Sequence, residues 1–138
     1  MNPLLIETSM RTALAASAFT GTQINLGSDY AELNPEAVIL IVSCASVDQI
    51  AGGLHKAELT VKITAPSLLG SSSMATFVST INSLRAALTP GYLNTNWPTG
   101  DSFQPDFNGI WVSGTKTSQE DHAWVAEIAC MLGVSESV

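Results

Sequence analysis

The chain reads as a single α+β domain: a four-stranded, mainly antiparallel sheet with two helices packed on one face, in the order α-β-β-α-β-β. Three observations predict it. Two segments carry apolar residues at helical spacing, four carry strand patterns, and the two pairs of strands are joined by links short enough to favour antiparallel hairpins. Placing both helices on one face of such a sheet is the economical way to bury their apolar sides. At 138 residues the chain has room for one domain, spanning residues 1–138. That length buries enough surface for a core without a metal or a disulfide staple.

The first helix is expected from Pro3 to Ala18. Asn2 is placed to cap it, Pro3 suits its first turn, and Ile6, Met10, Ala13 and Leu14 share one face. Thr20 to Glu36 is a polar connection in which Gln23–Leu26 is at most a short edge strand. Ala37–Ala45 contains the unbroken run Val38-Ile39-Leu40-Ile41-Val42, which predicts a central strand covered on both faces. Ser46 to Leu54, with Gly52-Gly53, links it to the next strand.

His55–Ala65 alternates most cleanly. Ala57, Leu59, Val61 and Ile63 interleave with Lys56, Glu58, Thr60 and Lys62, so one side of the sheet is expected to be wet. Ser71-Ser72-Ser73 offers caps for a second helix reaching Leu88, with Met74, Phe77, Val78, Ile81, Leu84 and Leu88 as its apolar stripe. Thr89 to about Asp106 holds three prolines and two glycines and is expected to be a long loop. The last strands are expected at Asn108–Thr117 and His122–Leu132, around a turn at Ser118–Asp121. Trp111 is assigned to the core. Trp124, Ala126, Ile128, Cys130 and Leu132 form one apolar face.

Composition narrows the function classes. Lys plus Arg is 5 against 12 Asp plus Glu, a net charge of −7, and such a surface repels phosphate backbones. There is no run of 18 apolar residues and no basic segment at the N-terminus, so neither a membrane span nor a signal peptide is expected. The chain is expected to be made in the cytoplasm. Cys44 and Cys130 lack CxxC spacing and read as small buried hydrophobes.

No nucleotide loop, zinc-protease motif or serine-hydrolase elbow is present. His55 and His122 each open a strand, and Asp121 beside His122 points to the opposite face, which is poor triad geometry. No catalytic, cofactor-binding or metal residue is therefore nominated, no cofactor is expected, and an enzyme is not the reading. The candidate site is instead a subunit interface made of Ile50, Leu54, Tyr92, Trp97 and Phe103. These are large apolar groups in links and loops, and such groups dominate interface hot spots.

The ordered pattern of helix Pro3–Ala18, strand Val38–Val42, strand Lys56–Ile63, the helix around Phe77–Ile81, and strands around Ile110–Val112 and Trp124–Ile128 resembles the tail terminator, or tail-completion, proteins of long-tailed bacteriophages. The likeness spans nearly the whole chain and is one of pattern and size, without a diagnostic motif. It implies a structural virion protein, located in the tail or neck. It further implies a homo-oligomeric ring of six that caps the tail tube and joins it to the head, leaving a channel for DNA. The implied partners are copies of itself, the tail tube protein and a head-connector or neck protein, with no membrane and no specific nucleic-acid binding. An acidic lumen would let DNA pass without adhering. The alternatives are another head–tail connector or tube-associated protein, or a small-molecule-binding domain with a cleft between sheet and helices.

Overall fold

A computed structural model describes residues 1–27, 37–67, 71–100, 104–120 and 123–136. The fold is α+β. Its elements run α1 (Pro3–Ala16), β1 (Gln23–Leu26), β2 (Ile39–Ala51), β3 (Leu54–Pro66), α2 (Ser71–Ala87), α3 (Pro90–Asn96), β4 (Asp106–Glu120) and β5 (Ala123–Ser135). The expectation of four strands and two helices is corrected to five strands and three helices among the described residues. The sheet order is β1-β2-β3-β5-β4, with β1 parallel to β2 and every other pair antiparallel.

Both expected hairpins form. The strand that joins the two halves is β5, which lies beside β3 along its full length and leaves β4 at the edge. Composition explains this choice. On β5, Ala126, Ile128, Cys130, Leu132 and Val134 make a continuous buried face, whereas β4 is rich in Gly, Ser and Thr and is exposed over most of its length. The strand with more apolar surface takes the interior place.

Period-two alternation on β3 sets the inside and outside of the sheet. His55, Ala57, Leu59, Val61, Ile63 and Ala65 are buried, and the residues between them face away from the core. All three helices pack on the buried side. α1 lies over β2 and β1, α2 over β3 and β5, and α3 against β4 and the ends of the other two helices. Ile6, Met10, Ala13 and Leu14 of α1 are buried together, as their spacing requires, and Asn2 caps the helix by accepting from the Leu4 N–H at 2.9 Å.

On α2 the stripe is narrower than expected. Phe77, Leu84, Ala87 and Leu88 are buried and Ile81 is half-buried, but Met74 and Val78 are exposed. Residues 77, 81, 84 and 88 form one helical row. Val78 lies about 100° round the helix from Phe77, off that row. The Phe77 ring stacks on Trp124 with centroids 6.2 Å apart.

β2 extends past the expected Ala45 to Ala51, so the link to β3 shrinks to Gly52-Gly53. Gly52 has φ 54°, the left-handed torsion needed at the first central position of a tight hairpin turn. Two bulges interrupt β2 against β3, between Cys44 and Ser46 and between Gln49 and Ala51. Coverage on both faces holds at Ile39 and Leu40; from Ala45 onward the strand is largely exposed.

The expected loop at 89–106 is partly helical. Thr89 is the cap and Pro90 the first residue of α3, an arrangement that fixes φ where no N–H partner is needed. The Tyr92 hydroxyl donates to the carbonyls of Ala13 and Leu14 and accepts from the Ala18 N–H at 2.9 Å, closing the C-terminus of α1. Trp97 donates from Nε1 to the Pro105 carbonyl at 2.8 Å and packs on Phe107 with centroids 5.6 Å apart. Gln104 donates to the Ser9 hydroxyl on α1. The segment is thus fastened to the domain at three places.

Truncating Phe77 to Ala is expected to cost about 3–5 kcal/mol by opening a cavity under α2. Trp97→Ala should cost a similar amount, since it removes a buried ring and leaves the Pro105 carbonyl only the long contact from the Gln104 amide. Urea unfolding followed by circular dichroism measures both, and an unchanged midpoint in either variant would show that the side chain is not core.

Candidate functional site

The expected interface residues separate into two groups. Ile50 is 59% exposed and Leu54 39% exposed, at the tip of the β2–β3 hairpin. The bulge after Gln49 leaves Ile50 without a partner on β3. Trp97 is only 5% exposed and belongs to the core, and Tyr92 is half-buried with its hydroxyl fully engaged by α1. Neither is presented to a neighbour, so the expectation of exposed anchors at these two positions is corrected. Their polar atoms find backbone partners within the chain, and their rings supply the burial that the segment lacks elsewhere. Phe103 lies outside the described residues.

Sequence reasoning missed Trp111. Assigned to the core, it is 70% exposed. It pairs in register with Met131 on β5, on the side away from the helices, while Ile110 and Val112 on either side of it turn toward the core. The period of two carried that signal: a tryptophan between two inward apolar residues must point outward. Around it runs a shallow groove of about 400 Å³, lined by Ala45, Glu58, Trp111, Ser113, Ala129 and Met131.

The uncovered face is mixed in charge. Lys56, Lys62 and Lys116, all the lysines of the chain, lie on it, beside Asp48, Glu58 and Glu127 in the cross-strand pairs Asp48–Lys56, Lys62–Glu127 and Lys116–Glu127. Opposite charges directly across strands contribute a few tenths to 1 kcal/mol each.

The titratable groups near the core have structural partners. His55 is 5% exposed; its Nδ1 lies 3.1 Å from the Gly53 carbonyl and its Nε2 3.6 Å from Glu136 Oε1. The Glu136 N–H donates to the same Gly53 carbonyl at 3.0 Å, so the imidazole sits in a clip between the hairpin turn and the end of β5. His122 lies outside the described residues, as does Asp121. Glu7 is buried on α1, and its Oε2 accepts from the Cys44 N–H at 2.9 Å, where the β2 bulge begins. Its Oε1 and the Trp124 Nε1 are buried without a hydrogen-bond partner among the described residues.

Cys44 and Cys130 are both free thiols. Each pairs in register with Leu59, from opposite sides, so they stand two strands apart. Two strand spacings come to roughly 9.6 Å, beyond the ~7 Å between Cα atoms that a disulfide spans. Burial, reinforced by the Glu7 carboxylate, pushes the Cys44 thiol up to about 11, and burial pushes Cys130 up to about 12. Both are poor nucleophiles at neutral pH.

Among the described residues no group of three His, Cys, Asp or Glu side chains is arranged to hold a metal. No helix is long and apolar enough to cross a membrane. What the geometry does offer is an extended surface: an uncovered sheet face with one exposed indole, and an apolar hairpin tip.

Neither the family models nor the curated protein sequences contain a match to the chain. A solved structure that carries no functional name is 16% identical, over 98% of this chain and 96% of that chain, with a TM-score of 0.59. At that identity the likeness shows a shared fold, end to end.

The thiols give a test with a defined sign. A folded-state pKa raised above the unfolded value contributes stability that is full below the unfolded pKa and is lost as pH rises through the folded one. Stability is therefore expected to fall between about pH 9 and pH 11–12, and a Cys44→Ser, Cys130→Ala chain should fall less. At pH 8 a thiol reagent should label Cys130 only as fast as the chain unfolds; rapid labelling of the native protein would contradict its burial.

Proposed function

We propose that the chain is a structural ring subunit of the phage tail terminator type, which caps the tail tube and joins it to the head while leaving a passage for DNA. The observation that carries the proposal is the pairing of an open sheet face bearing Trp111 with an apolar hairpin tip at Ile50 and Leu54. Exposed apolar groups of this size mark assembly surfaces more often than catalytic ones. The order of elements departs from the expected α-β-β-α-β-β by the strand β1 and the helix α3; the helix–hairpin–helix–hairpin frame that remains supports the reading.

The charge supports the same reading. At −7 the subunit, repeated around a ring, surrounds a channel with negative potential, and phosphate backbones slide past without adhering. In this reading the partners are other copies of the chain, six in a closed ring, together with the tail tube protein and a head-connector protein. No catalytic step belongs to it.

Light scattering after size exclusion, with negative-stain microscopy of the same fractions, tests the proposal. Annular particles of about six copies are the expected result, formed by the chain alone or on added tail tubes. A chain that remains a single copy at high concentration and fails to bind tubes would overturn the reading. Ile50→Asp with Leu54→Asp should reduce ring or tube-bound material at least tenfold while leaving the thermal midpoint of the subunit nearly unchanged.

A further inference from the structure

The sheet ends in two open edges. Among the described residues no strand pairs with the outer edge of β4, which runs for 15 residues. On the other side β1 covers β2 only from Ile39 to Val42. The Gly27 N–H then donates to the Val42 carbonyl, and Glu7 takes the Cys44 N–H. From Ser46 onward no described strand lies on the outer edge of β2, away from β3. Unpaired strand edges present backbone donors and acceptors that another strand can satisfy.

The two edges match in direction. Three successive antiparallel pairings, β2 with β3, β3 with β5 and β5 with β4, leave β2 and β4 running in opposite senses. A second copy of the chain, added in the same orientation, therefore brings its β2 antiparallel to β4. Such head-to-tail contacts generate rings when the rotation closes.

They also match in charge. Asp48 is the single charged residue between Ala45 and Ala51, and Lys116 the single one between Ser113 and Gln119. Both project from the uncovered face, as their register partners Lys56 and Glu127 show. We infer that Thr115–Ser118 of one copy pairs antiparallel with Ser46–Gln49 of the next, so that Lys116 faces Asp48 of the next copy. The row across the joint then reads Lys62, Glu127, Lys116, Asp48 of the next copy and Lys56 of the next copy, alternating in sign over five strands.

The flanking positions accept this register. Ser46 meets Ser118, Val47 meets Thr117 and Gln49 meets Thr115, with no like charges opposed. The exposed bulge residue Ile50 falls opposite Gly114, where an added Cβ would meet nothing within 4 Å. A slip of two residues in either direction places Asp48 opposite Gly114 or Ser118 and separates both charges from their partners. The four residues used on β2 are its regular stretch between two bulges. A lone lysine on an edge strand ordinarily blocks pairing by its need for water, and a facing carboxylate removes that obstacle.

This inference deepens the ring-subunit reading and rests on it for its biological setting. Sedimentation velocity on the full chain, across a concentration series, tests it with Lys116→Glu, Asp48→Lys and the double exchange. Each single variant is expected to weaken self-association about tenfold, and the double exchange to restore it to within about threefold of the parent. A second variant guards against misfolding: Val47→Cys with Thr117→Cys, oxidised at high concentration, is expected to give a covalent ladder of dimers and higher species that the parent lacks. Single variants that associate like the parent, a double exchange that does not recover, or a cysteine pair that gives no ladder would each overturn the pairing. If the parent still forms rings in those cases, the ring reading stands and only this joint is wrong. A parent that never associates, with or without tubes, removes both.

Discussion

Everything in this molecule depends on a sheet that takes all three helices on one face and, apart from the buried Ile39 and Val125 at one end, leaves the other face largely exposed among the described residues. The alternation along β3, apolar at Ala57, Leu59, Val61, Ile63 and Ala65 and polar or charged between, admits helices to one side alone. α1, α2 and α3 compete for that side and tile it. Trp97, Leu93, Phe77 and Leu84 are buried because they reach this layer. Trp111, on the opposite side of the same sheet, has no layer to reach among the described residues. The contrast between two tryptophans of equal hydrophobicity is set by which face of one sheet each is given.

The one-sided arrangement shapes the polar groups too. Where β1 stops, β2 has a backbone N–H at Cys44 that faces the protein rather than solvent, and Glu7 turns a buried carboxylate to it. A buried acid is costly unless its hydrogen bonds are supplied, and this one has a partner for one oxygen and none for the other among the described residues. The lysines avoid that cost by staying on the open face, within register of carboxylates. The chain is strongly acidic overall, yet its uncovered sheet carries both signs, which suits contact with a surface of the same composition.

Much of the fold was legible in the sequence where the pattern was periodic and long. The α1 row at Ile6, Met10, Ala13 and Leu14, the alternation of β3 and the apolar face of β5 needed only spacing. β1 was legible only as a faint possibility, because four residues carry too little pattern and its support comes from a parallel neighbour remote from any hairpin. α3 was hidden by the turn-forming residues around it, although Thr89-Pro90 is itself a helix-start signal. For the candidate site, exposure at Ile50 and Leu54 follows from their place at a tight turn. Tyr92 and Trp97 could not be placed from the sequence, since their hydrogen-bond partners at Ala13 and Pro105 are fixed by tertiary packing. Residue type suggested an anchor, and packing decided what was anchored to what.

The Tyr92 hydroxyl bonds backbone groups 74 to 79 positions earlier in the chain. During synthesis the first helix must therefore wait for its closing partner. At typical elongation rates of 5–20 residues per second, that interval is on the order of several seconds. Until α3 emerges, α1 lacks its terminal clasp, although β1, β2 and β3 all precede α3 in the chain. A chain cut short before Tyr92 would lack both that clasp and the strands β4 and β5, and so could not form a smaller version of the same sheet.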